Sequence, residues 1–334
     1  MPKLGILITN TGTPDAPNTS AVRRYLKEFL SDPRIVQLPR LIWLPILYGL
    51  VLTLRPRRSA ELYQKIWTPD GSPMRTIMQR VSSTLAAKVN QKNKEPIEVE
   101  MGMNYGAPSI PHALASLKQK QIDRMIVLPL FPQYSNTSTA SSFDRVLKHL
   151  AQWQALPDLS LIRDYSVHPR YIETLAQTVT QTWNQQGHPE HLIISFHGIP
   201  ERFVKNGDPY QMQCEKTAQL LANALSLPKE KWTLCYQSQF GYDKWLKPST
   251  QMIFSELPKQ GIKHIDVICP GFSVDCLETL EEIAITGKKT FLQAGGKELR
   301  YIPALNDSEA HVDMLAEIIL ERISPSSLKD YSAT

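Results

Sequence analysis

Short, β-branched apolar runs recur at residues 3–9, 98–103, 124–130 and 159–163, and again at 191–196, 232–237, 264–269 and 299–303. Between them the apolar positions fall at helical spacing, as in residues 210–225. Such alternation predicts parallel strands joined by crossover helices, an α/β fold. The two sets are similar in size, so the expectation is two βαβ-type halves, each a parallel sheet flanked by helices. The break falls near residues 152–169, giving halves of 1–158 and 159–307. Residues 308–323 read as a last helix that by pattern alone can pack on either half.

In open α/β sheets ligands collect at the carboxyl ends of the strands, where loops vary over a rigid sheet. The polar residues following the predicted strands are therefore the first candidates. They are Asn10 and Thr11, Asn104 and Tyr105, Gln133 to Ser135, Ser195 and His197, Gln237 and Ser238, and the Pro270-Gly271-Phe272 turn.

One stretch breaks the alternation. Residues 41–54, LIWLPILYGLVLTL, carry no charge and are flanked by Arg34, Arg40, Arg55, Arg57 and Arg58. Fourteen residues are too few to span a bilayer, which takes roughly 20. Two readings stand: an apolar lip with Trp43 and Tyr48 resting among lipid headgroups, or a buried, pocket-lining helix interrupted at Pro45.

Composition narrows the classes. In 334 residues, 42% hydrophobic and 21% charged residues describe a globular chain, and a length above about 200 residues suits two units. The net charge of +5 is spread among acids without an aromatic-laced basic strip, which sets nucleic acid aside. Cys214, Cys235, Cys269 and Cys276 show no C-x-x-C spacing and follow no secretory leader, so the expectation is reduced core thiols in a cytoplasmic protein. No G-x-G-x-x-G, P-loop or G-x-S-x-G pattern is present, so nucleotide phosphate binding and hydrolase chemistry lose their main support.

Two features carry possible chemistry. His197 ends a strongly apolar run and precedes Gly198-Ile199-Pro200, a turn that holds an imidazole at the sheet edge. There it can accept a proton, ligate iron, or simply close the strand with a hydrogen bond. Asp275, Glu278 and Glu282, spaced i, i+3, i+7, line one helix side and can pass a divalent cation. The plainer reading of the first two is a capping box over 275–278. Ser72 and residues 135–142 read as turn chemistry, and Trp245 and Phe272 as core.

Together the motifs resemble the ferrochelatase family along nearly the whole chain. The most specific is residues 192–210, LIISFHGIPERFVKNGDPY. Asn10 with Gly12-Thr13-Pro14, Gly71-Ser72-Pro73, FPQYS at 131–135, YQSQFG at 236–241, Trp245-Leu246-Lys247-Pro248 and residues 269–280 lie in the matching order. The resemblance implies insertion of Fe²⁺ into protoporphyrin IX, with bending of the ring and removal of its pyrrole protons. It implies that His197 and Glu278 face each other across a porphyrin pocket as the metal-insertion pair, extended by Asp275 and Glu282. It also implies a chelatase-like α/β fold of two Rossmann-like halves around a porphyrin cleft, with the last helix returning to the first half, and that Asn10, Ser72, Tyr105, Tyr134, Ser135, Trp245 and Phe272 hold the macrocycle.

The chain departs from the family at Asn104 and Gln239, where relatives carry basic residues, which bears on how the ring or its propionates are held. Some relatives bind an iron–sulfur cluster through cysteines near the C-terminus. No cysteine follows Cys276, so none is expected, and iron enters as substrate rather than cofactor. The partners expected are porphyrin, ferrous iron and, peripherally, the inner membrane face. Two alternatives remain: a chelatase for coproporphyrin or another tetrapyrrole, and a non-catalytic porphyrin or haem carrier.

Overall fold

The computed structural model describes residues 3–91, 96–241 and 243–323. Among these, eight strands form two four-stranded sheets, all of whose pairings are parallel. The first holds β1 (Leu4–Thr13), β2 (Ile97–Gly106), β3 (Arg124–Pro129) and β4 (Asp158–Leu161) in the order β2-β1-β3-β4. The second repeats it with β5 (His191–His197), β6 (Trp232–Gln237), β7 (His264–Ile268) and β8 (Glu298–Tyr301), ordered β6-β5-β7-β8. β4 pairs with β3 through Leu161, so the first sheet runs past residue 158.

The central strands β1 and β5 are covered on both faces, which is why they read as unbroken apolar runs. In each sheet the chain leaves the central strand to one side and returns on the other. The crevice of such a switch point opens at the carboxyl ends of β1 and β5. β1 continues four residues beyond its apolar run because Gly12 and Thr13 keep register with Tyr105 and Gly106 of β2. Gly12 has φ of +105°, a conformation suited to glycine.

A single apolar core joins the halves. It runs from Ile6 and Ile8 of β1 through Met78 and Leu85 of the Pro73–Gln91 helix to Ile194, Phe196 and Ile268 of the second sheet. The closing helix Glu309–Ile323 contributes Val312, Leu315 and Ile319 to it. This helix lies against both the Pro73–Gln91 helix and the Pro169–Gln186 helix, so it belongs to neither half alone. Arg80 to Asp307, Lys88 to Asp313 and Arg170 to Glu317 form ion pairs along those contacts.

Residues 41–54 take the exposed course. They form the helix Arg40–Ile46, a π turn Leu47–Val51 and the start of the helix Leu52–Ile66, and Pro45 lies inside the first helix without ending it. Leu47 and Leu52 are buried, whereas Leu41 is 92% exposed and Ile42, Tyr48, Leu50 and Leu54 are exposed beside it. Among the described residues, no helix is long and apolar enough to cross a membrane.

Candidate active site

His197 is the last residue of β5, paired in register with Gln237 of β6. Its Nδ1 lies 2.6 Å from the Gly198 carbonyl oxygen. A carbonyl only accepts, so Nδ1 carries the proton and, in the neutral ring, Nε2 keeps a free lone pair. The imidazole is half-buried beside Phe272, with ring centroids 6.3 Å apart and planes tilted by 52°. Gly198 is needed next to it, since a Cβ there would meet the Gln237 carbonyl at 2.8 Å and the Trp245 ring at 3.2 Å.

The acidic segment supplies the adjoining wall. Cys276 caps the short helix Leu277–Leu280, with its side chain and Thr279 forming the reciprocal capping box. The box thus lies one residue later than the 275–278 frame expected from sequence. Glu278 is therefore spared the capping task and stays half-buried at the cleft. A π segment, Glu282–Gly287, follows at once; such wide turns are frequent at functional sites.

Glu282 is fixed from β6. Its carboxylate accepts from the Ser238 backbone N–H at 2.7 Å, the Ser238 hydroxyl at 2.5 Å and Gln237 Nε2 at 3.4 Å. The same Gln237 Nε2 donates to the Glu278 carbonyl oxygen at 2.7 Å. Ser238 has φ of +62°, an uncommon conformation for a non-glycine residue, and thereby aims both its donors at Glu282. Burial pushes the Glu282 carboxyl up, the Ser238 bonds and the His197 charge pull it back, and Glu278 adds to the rise. Glu282 thus lies within reach of the charges of both His197 and Glu278.

Asp275 does not join them, which corrects the expected row of three carboxylates. It precedes the helix, is buried, and accepts from the Thr279 and Tyr301 hydroxyls at 2.9 and 2.6 Å and from Asn306 Nδ2 at 2.7 Å. A carboxylate so fully bonded anchors the turn rather than passing a cation. Among the described residues, no three His, Cys, Asp or Glu side chains are grouped to hold a metal ion by themselves.

The opposite wall comes from the first half. Leu277 and Leu280 pack on the apolar cluster of the Thr19–Ser31 and Leu52–Ile66 helices, facing Glu278 toward Tyr25 and Tyr63. Burial first, and then the Glu278 charge, raise the Tyr25 phenol; for Tyr63 burial leads, with the charges of Tyr25 and Glu278 adding. Arg55 sits at the mouth, its guanidinium 5.4 Å from the centroid of the Phe240 ring. Sequence reading passed over Tyr25 and Tyr63 because nothing in their local spacing ties them to a helix some 200 residues away.

The expected macrocycle contacts divide into two groups. Phe272 and Trp245 lie beside the end of β5, Trp245 with its indole N–H donating to the Phe240 carbonyl at 2.9 Å. Asn10 and the Thr13 to Ser72 hydroxyl pair, 2.8 Å apart, mark the end of β1, all of them largely buried. Tyr134 is half-buried after β3, under the Arg163 guanidinium at 4.5 Å.

Tyr105 and Ser135 are bound into internal networks. Tyr105 is 1% exposed and donates to Asp32 at 2.7 Å, while the Ser135 hydroxyl donates to Asp208 at 2.9 Å. Asn104 is also internal, donating to Ser141 at 2.8 Å, and Gln239 donates to the Leu246 carbonyl at 2.9 Å.

Comparison with known proteins agrees with this arrangement. Residues 3–323 match the family model described as Ferrochelatase. The Ferrochelatase of Nitrosococcus oceani is 47% identical over 328 residues, covering 98% of this chain and 89% of that protein. Ferrochelatase 1 of Shewanella oneidensis is 47% identical over 321 residues, or 96% of each chain. Among solved structures, SirB from Bacillus subtilis with Fe3+ superposes with a TM-score of 0.57 over 97% of both chains at 12% identity, a likeness of fold. With a family model matched over almost its whole length and relatives this similar, the chain belongs to the ferrochelatase family.

Proposed function

We propose that this chain inserts ferrous iron into protoporphyrin IX. The observation that carries the reading is the free Nε2 of His197 beside two carboxylates, Glu278 and Glu282, held at the cleft by Gln237 and Ser238. Insertion exchanges two pyrrole N–H protons for one Fe²⁺, so the site must take up protons while it admits a cation. A neutral imidazole nitrogen suits the first task or ligation of the entering metal; carboxylates suit the second.

The chemistry also needs a bent macrocycle, because in a flat ring the N–H groups block the plane. Phe272 and Trp245 offer apolar surface to grip the ring faces, and the energy of that contact offsets distortion. The Ser72 and Thr13 hydroxyls and the Asn10 amide, gathered at the carboxyl end of β1, would meet the macrocycle edge.

Anaerobic insertion followed by porphyrin absorbance tests the reading. Turnover with Fe²⁺ and protoporphyrin IX is expected to exceed turnover with coproporphyrin. The reverse order would assign the chain another tetrapyrrole, and tight binding without turnover would make it a carrier.

The exposed Leu41, Ile42, Leu50 and Leu54, bordered by Arg40 and Arg57, form a lip suited to the cytoplasmic face of an anionic membrane, from which an apolar porphyrin would arrive. The chain is expected to co-sediment with anionic vesicles at low salt, and a Leu41→Asp, Leu54→Asp variant to stay in the supernatant. Equal sedimentation of both would remove the lip from the proposal.

A further inference from the structure

Glu281 lies between the two carboxylates of the site yet points away from them. It is 4% exposed, and its carboxylate is held by two partners. Lys65 Nζ lies 2.8 Å from Oε1, and the Thr286 hydroxyl donates to the same oxygen at 2.9 Å. The Glu281 carbonyl oxygen accepts from the Thr286 backbone N–H at 2.8 Å, the five-residue bond that opens the π turn. Glu281 thus binds Thr286 through main chain and side chain alike, and that wide turn carries Glu282 to Ser238.

Lys65 comes from the other half, in the last turn of the Leu52–Ile66 helix. That helix begins in the exposed lip and carries Tyr63, which faces Glu278. Its ammonium is the counter-ion of a carboxylate that burial would otherwise leave uncompensated, a costly state.

We propose that Lys65 is a positioning residue for metal insertion: from the first half it holds Glu281, and through Glu281 the π turn that seats Glu282 at Ser238, one turn on from Glu278. The inference rests on the assignment of those two carboxylates to the reaction. It makes the geometry of the acidic segment depend on the seating of the Leu52–Ile66 helix, and so ties the lip to the catalytic wall.

The test compares Lys65→Met, Lys65→Arg, Glu281→Gln and the paired Lys65→Met, Glu281→Gln chain with the parent. Porphyrin binding, thermal midpoint, kcat and the KM for Fe²⁺ are measured on each. Lys65→Met is expected to lower kcat about tenfold, as a small misplacement of reacting groups does, with porphyrin affinity within about twofold of the parent. Lys65→Arg restores most of the rate, and the paired chain is no slower than either single one, because both act through one contact.

A Lys65→Met chain with a lowered midpoint but parental kcat would show a merely structural pair and overturn the proposal. Should Lys65→Met fail to fold, Thr286→Val, which deletes only the hydroxyl partner of Glu281, is expected to lower kcat, and a parental kcat would again overturn it. Glu278→Gln is run alongside. If it too turns over normally, the assignment of the carboxylates has failed; if it is inactive while Lys65→Met is normal, only the positioning role has.

Discussion

Replacing His197 with Ala is expected to leave porphyrin binding within about threefold of the parent and to reduce iron insertion by at least 10²-fold, about the lower range lost with a positioned acid or base. The apolar surfaces of Phe272 and Trp245 do not depend on the imidazole, so affinity survives. What disappears is the Nε2 lone pair that the Nδ1 contact with Gly198 leaves free. His197→Gln tests the same point with a side chain that keeps a hydrogen-bonding head but cannot carry the proton away. Single-turnover measurements under anaerobic conditions separate insertion from product release. Undiminished insertion by His197→Ala would remove the histidine from the chemistry.

The largest effect on stability is expected at Gly12. A Cβ there would lie 1.9 Å from the Tyr105 carbonyl oxygen and 2.9 Å from its carbon, and both belong to a ladder whose register cannot shift locally. With φ of +105° adding strain, Gly12→Ala should lose more than about 3 kcal/mol or fail to accumulate folded. Gly49 is the control, since a Cβ there meets nothing within 4 Å, and Gly49→Ala should be neutral or slightly stabilising. Urea midpoints decide the matter. A Gly12→Ala midpoint equal to that of Gly49→Ala would show that the end of β1 yields more than its pairing implies.

Much of the architecture was legible because both sheets are buried on two faces. Runs such as 124–130 and 191–196 read as strands without help from partners, and all eight predicted runs overlap strands of the structure. The end of β1 escaped because its last residues are held by register with β2, a pairing that no local pattern displays.

The site was legible in part. His197 could be singled out by the turn after its strand, and the structure leaves it at the sheet edge with Gln237 and Ser238 close by, as strand-end reasoning anticipated. Asp275 was misjudged because its partners, Tyr301 and Asn306, arrive from 26 and 31 residues further on. The bond of the Tyr105 hydroxyl to Asp32, 73 residues away, was likewise beyond any local pattern. Helical spacing can place Glu278 and Glu282 on one side of a segment, but it cannot foresee a π turn between them and Gly287.

The closing helix carries a consequence for how the chain is made. Glu309–Ile323 is translated after both sheets, yet it covers apolar positions of the Pro73–Gln91 helix, which emerges some 220 residues earlier. Until then Met78, Val81 and Leu85 wait for their final cover. The core of the N-terminal half therefore lacks one of its covering helices until that segment has been made. Its apolar helix face stays open until Glu309–Ile323 has been made, an interval in which exposed apolar surface favours association with chaperones or neighbouring nascent chains.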